Sequence, residues 1–140
     1  MSSVSNNLRI VIDTNVFISA IVFGGKPRQI IDLIAEDAVI IVIAEEIATE
    51  IRRIIVEKFP DFLEDLAKIE RLLEEDAEWV KLGFHTIGIS RDPDDDKFIE
   101  TAVTGQAEYI ISGDEDLLNL ELYRNIRIMQ PADFLKLFDQ

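Results

Sequence analysis

The chain has 140 residues, 48% of them hydrophobic, and a formal charge of −14 from 14 Lys+Arg against 28 Asp+Glu. That length suits a single domain over residues 1–140, and a composition rich in Ile, Val and Leu is not that of a disordered chain. The lack of cysteine excludes disulfides and thiolate metal sites, one histidine (His85) excludes an imidazole-built zinc site, and the acidic balance argues against a simple electrostatic grip on nucleic acid.

Met1 to Asn7 is polar, and no apolar run approaches a membrane span, so a cytoplasmic protein without a membrane anchor is expected. Leu8 to Ile12 reads as a buried strand ending at Asp13, and Thr14 or Asn15 can cap a helix running to about Ile21. Gly24 to Pro27 is a loop, with Pro27 opening a second helix to about Glu36. Val39 to Ile43 is a β-branched strand, Glu45 to Lys58 a helix, and Pro60 to Glu75 another. A weaker strand covers Trp79 to Leu82, and a polar loop from Ser90 runs into a helix over Asp94 to Thr104. Tyr109 to Ser112 is a further strand, Asp116 to Leu120 a short helix, Ile126 to Met129 a last strand, and Pro131 opens a terminal helix.

Strands apolar on both faces and alternating with helices predict a central, mostly parallel sheet in an α/β fold, with helices on each side. In such sheets ligands bind at the carboxyl ends of the strands. Asp13 and Asp114 both follow strands and so belong to that edge, although a helix cap and a turn residue are their plainer readings. Glu50 flanks the apolar stripe Ile47, Ile51, Ile54 and Ile55, at about 100° per residue. An acid there needs a partner. Arg52 and Arg53 are too near in sequence, which favours a cation.

Asp92, Asp94 and Asp96 imitate the start of a calcium loop, but Lys97 and Val103 stand where the turn glycine and bidentate glutamate belong. On the helix that follows, Asp95 shares the stripe of Ile99, Ala102 and Val103, Asp96 lies on its flank, and Asp94 points away. Carboxylates suit Mg²⁺ or Mn²⁺, and such ions hydrolyse phosphodiesters without a histidine, cysteine or serine nucleophile.

Four segments in this order resemble the PIN domain family of metal-dependent ribonucleases, and most nearly its VapC-like toxins: Arg9 to Val16 (RIVIDTNV), Glu50 to Ile55 (EIRRII), Asp92 to Glu100 (DPDDDKFIE) and Tyr109 to Leu117 (YIISGDEDL). The resemblance implies a three-layer α/β/α sandwich. It also implies a catalytic and metal-binding set of Asp13, Glu50, Asp95 and Asp114, with Asp116 as an auxiliary acid and Asn15 and Ser112 as supporting hydrogen-bond groups. Asp96 is the alternate for Asp95. Counting back from Asp114 selects Asp96, while counting back from Thr101 and the helix face select Asp95. Further implied are an RNA substrate, a homodimer and an antitoxin partner. Lys26, Arg28, Arg52, Arg53 and Lys58 are the basic residues expected near the site. Two other readings stay open: a catalytically silent PIN-fold binding module, and a Mg²⁺-dependent phosphohydrolase with Asp13 as nucleophile. The second wants another Asp where Asn15 stands.

Overall fold

The computed structural model of the chain describes residues 7–83 and 93–138. His85 and the Ser90 to Asp92 part of the expected loop lie outside them. The strands are β1 (Leu8–Ile12), β2 (Val39–Ala44), β3 (Glu78–Val80), β4 (Tyr109–Ile111), β5 (Leu122–Tyr123) and β6 (Ile126–Met129). The helices are α1 (Thr14–Val22), α2 (Gly25–Ala35), α3 (Glu45–Lys58), α4 (Leu63–Asp76), α5 (Asp96–Thr104), α6 (Glu115–Leu118) and α7 (Pro131–Leu135).

Among the described residues the strands form one sheet in the order β3-β2-β1-β4-β6-β5. Neighbours pair in parallel except β5 with β6. Ile10, Val11, Ile12, Ile41, Val42, Ile43, Ile110 and Ile111 are at most 1% exposed, so the central strands are covered on both faces. That burial is why they read as continuous β-branched runs rather than alternating ones. Helix α5 packs across β1, β2 and β4, while α1 packs on α2 and α3, and α2 on α7. The chain steps outward from β1 to β2 to β3 and then crosses to β4 on the other side of β1. Right-handed crossovers then put α5 on the face opposite α1 to α4. The result is the expected α/β/α sandwich, and the reversal between β1 and β4 is its topological switch point.

Several boundaries differ from the sequence reading. Asp13, not Thr14 or Asn15, is the N-cap of α1, its side chain accepting from the Val16 N–H. Helix α2 starts at Gly25, with Gly24 and Gly25 at φ 77° and 65°, so Pro27 sits inside the first turn. The segment from Pro60 begins as a 3₁₀ turn (Pro60–Phe62) before α4, and β3 is shorter than expected and starts at Glu78. The two-residue β5 has no apolar pattern to announce it. It exists because the turn at Arg124, φ 55°, folds it back on β6.

One close approach fixes α5 on the sheet. A Cβ at Gly105 would come within 2.2 Å of Val42 Cγ1, so only glycine lets the end of α5 lie against β2. Arg9 Nε donates to the Gly105 carbonyl at 2.9 Å, and Arg9 Nη1 donates to Glu78 Oε1 at 2.8 Å, tying β1, β3 and α5 together.

Candidate metal centre

The parallel register builds the first part of the site. Ile12 pairs with Ile111, and the ladder continues one step further as the Asp13 N–H donates to the Ile111 carbonyl at 3.0 Å. That puts Asp13 beside Ser112 at the carboxyl edge of the sheet. The Ser112 hydroxyl, wholly buried, donates to Asp13 Oδ2, and its oxygen accepts the Asp114 N–H at 2.9 Å. The other Asp13 oxygen, Oδ1, accepts the Val16 N–H at 2.8 Å. Asp13 is therefore both a helix cap and part of the cluster, so its two sequence readings are compatible. Burial raises its carboxyl pKa from 3.8 to about 6, and the Asp114 charge adds to the rise. The Ser112 hydroxyl and the Val16 and Gly113 N–H groups oppose it by stabilising the carboxylate.

Asp114 caps the short α6 in the same manner, Oδ1 accepting the Asp116 N–H at 2.8 Å. This local turn brings the Asp116 side chain back toward Asp114. Carboxylate oxygens of Asp95, Asp114 and Asp116 lie within 4.8 Å of one another. Asp95 is the last residue of a 3₁₀ turn (Pro93–Asp95) ahead of α5 and is buried. Asp96 is buried too, but it neither joins that trio nor lines the adjacent cleft. Asp94 does line the cleft, contrary to the helical-wheel expectation that it points away. The wheel assumed α-helical rotation from Asp94 onward, whereas the 3₁₀ turn advances by a larger angle per residue.

The cleft, of about 170 Å³, is lined by Asp13, Thr14, Asn15, Glu50, Ile54, Asp94, Asp95, Lys97, Phe98 and Asp114. All four acids expected to form the catalytic set thus border one space. Asn15 is exposed at its rim. Larger grooves lie elsewhere. One, bordered by Arg52, Glu70 and Trp79, holds no part of the acid trio.

Glu50 has protein partners that the sequence reading missed. Its Oε1 accepts the Thr14 hydroxyl at 2.5 Å and stands 3.0 Å from Lys97 Nζ. The partner of Glu50 is thus a basic side chain, where the sequence reading favours a metal cation over an arginine. Thr14 had been read only as a possible cap, and Lys97 only as a residue spoiling a calcium loop. No local pattern announced the pairing of Lys97 with Glu50, because it depends on how α5 meets α3. The basic residues expected near the site are placed otherwise: Arg52 pairs with Glu70, Arg53 with Glu57, and Arg28 with Asp32. Lys26 and Lys58 are exposed, and neither borders the cleft.

Chemically, oxygens from three acids at this spacing match the ligand preference of a hard divalent cation such as Mg²⁺ or Mn²⁺. Lys97 balances the charge of Glu50, which borders the same cleft.

Comparison with known proteins agrees with this geometry. Residues 9–116 match the model of the PIN domain family, a span from β1 to Asp116 that contains every residue of the cleft. An uncharacterised protein of Methanocaldococcus jannaschii is 31% identical over 145 aligned positions, covering 95% of this chain and 93% of the relative. PIN domains are typically nucleases that bind divalent metals. With its parallel sheet, its acids gathered at the switch point and this match over most of its length, the chain belongs to the PIN domain family.

Proposed function

We propose that this protein is a metal-dependent endoribonuclease, the toxin component of a toxin–antitoxin pair, acting on RNA in the cytoplasm. The observation that carries the nuclease reading is the trio of carboxylates from Asp95, Asp114 and Asp116, set beside Asp13 and Glu50 in one cleft. In this reading Asp95, Asp114 and Asp116 hold the ion. Asp13 and Glu50 complete the negative wall, and Ser112 fixes Asp13 and the backbone of Asp114 with one hydroxyl. A divalent ion bound there supplies the charge that activates water and stabilises the leaving oxygen of a phosphodiester. Asn15, exposed at the rim, is available to the substrate.

The phosphohydrolase alternative is disfavoured by the contacts of Asp13. Both of its oxygens are engaged, one by the Val16 N–H and one by the Ser112 hydroxyl, which suits a structural carboxylate better than an in-line nucleophile. The toxin role rests on the sequence resemblance. A basic antitoxin segment would suit a chain of charge −14, and its binding should weaken as salt is raised. A homodimer belongs to the same reading.

The test is incubation of the purified protein with labelled RNA in Mg²⁺, in Mn²⁺ and in EDTA, alongside Asp13→Asn and Asp114→Asn. Cleavage that needs the divalent ion and is lost in both variants supports the proposal. Cleavage that persists in EDTA or in both variants, or RNA binding without cleavage in either metal, overturns it.

A further inference from the structure

We propose that Lys97 is the phosphate-contacting cation of this cleft, held over it by Glu50 and Thr14. The inference rests on the nuclease reading above and extends it to the substrate. Lys97 is the one cationic residue among the described residues that line the cleft, against the carboxylates of Asp13, Glu50, Asp94, Asp95 and Asp114. A polyanion entering such a wall meets strong repulsion unless positive charge is already in place.

The placement of Lys97 suits that task. Its ammonium stands 3.0 Å from Glu50 Oε1, and its side chain is 23% exposed, so the group is anchored yet reachable. The same Glu50 oxygen accepts the Thr14 hydroxyl at 2.5 Å, which holds the carboxylate from the α1 side while Lys97 approaches from α5. The ammonium also lies 5.2 Å from the centroid of the Phe98 ring, which limits the directions it can take. An ammonium has three N–H donors, and one directed at Glu50 leaves two for phosphate oxygens. Glu50 is then a positioning residue as well as a wall of the cleft: it aims Lys97. Nothing comparable is offered by Arg28, Arg52 or Arg53, each of which pairs with an acid outside the cleft.

A purely structural ion pair bridging α3 and α5 makes different predictions, and salt-dependent binding separates the two. Binding of a fluorescein-labelled single-stranded RNA oligonucleotide is measured in Ca²⁺ over a range of KCl for the wild type, Lys97→Met and Lys97→Arg. Mn²⁺ titration and thermal melting of the same three proteins report the metal site and the fold. Loss of one phosphate contact lowers the slope of log K against log [salt] by about 0.7 for a single strand. The proposal expects that decrease in Lys97→Met, a wild-type slope in Lys97→Arg, and Mn²⁺ affinity that does not weaken in either. An unchanged slope in Lys97→Met overturns it, as does a lowered slope accompanied by equal loss of Mn²⁺ affinity and melting temperature. If the wild type cleaves RNA while Lys97→Met keeps its slope, the Lys97 inference fails and the nuclease reading stands. A wild type that neither binds nor cleaves RNA overturns both.

Discussion

Replacing Asp13 by Asn should stabilise the metal-free protein at neutral pH. The Asp13 carboxyl is 3% exposed, and its pKa rises from 3.8 to about 6 on burial. The folded state therefore holds this proton more tightly than the unfolded chain does. The resulting stabilisation is fully present below pH 3.8 and is lost as the pH rises through about 6. Above that, the folded protein carries a buried carboxylate costing about 3 kcal/mol, from a shift of roughly two units at about 1.4 kcal/mol each. Asparagine keeps the shape and the cap: its carbonyl oxygen can accept the Val16 N–H, and its amide can donate to Ser112 once that hydroxyl turns. Thermal melts in EDTA at about pH 4 and about pH 8 measure the effect. Asp13→Asn should melt close to the wild type in acid and roughly 10 °C higher in base, at about 3 °C per kcal/mol for a domain of this size. A variant less stable than the wild type at the alkaline pH, or a difference independent of pH, would refute the desolvation argument.

Divalent metal should raise the melting temperature of the wild type by an increment that Asp114→Asn removes. At a hundredfold excess over Kd, the stabilisation is about 2.7 kcal/mol, and equal increments in the two proteins would count against the Asp95, Asp114 and Asp116 trio as the binding group. Ser112→Ala removes a hydroxyl that holds the Asp13 pKa down and satisfies the Asp114 N–H. The Asp13 titration, followed by carboxyl NMR in EDTA, should then move to a pH above 6; a lower or unchanged midpoint would contradict the assigned contact. Gly105→Ala forces a Cβ against Val42 and should destabilise the fold by about 1–3 kcal/mol in urea unfolding. An unchanged midpoint would mean that α5 can slide off β2 freely.

Much of the fold was legible in local residue chemistry. The mainly apolar runs at Leu8 to Ile12, Val39 to Ile43 and Tyr109 to Ser112 read as buried strands because they are short and rich in β-branched residues, and the structure forms strands there. The stripe of Ile47, Ile51 and Ile55 marked the inner face of α3 and left Glu50 at its margin. The acids that follow strands, Asp13 directly after β1 and Asp114 three residues past the end of β4, were visible from the strand ends alone. These are short-range matters of side-chain shape and periodicity, and they need no knowledge of neighbours. The Asp95 and Asp96 alternatives were less legible, since the 3₁₀ turn ahead of α5 breaks the wheel that would rank them.

What a linear reading could not reach is which residues meet. The Ile12–Ile111 register decides that Asp13 faces Ser112, and strand register depends on pairing across the whole sheet rather than on either strand. The Glu50 partner is Lys97, because the crossover from β3 to β4 passes back over β1 and brings the start of α5, on the opposite face of the sheet, into contact with α3. Asp116 joins Asp95 only because Asp114 caps the short helix that carries it. The sequence by itself determined the elements and the acidic chemistry. Tertiary structure alone decided how the charges are balanced, because ion pairing depends on distances of a few ångströms between residues that chain order leaves far apart.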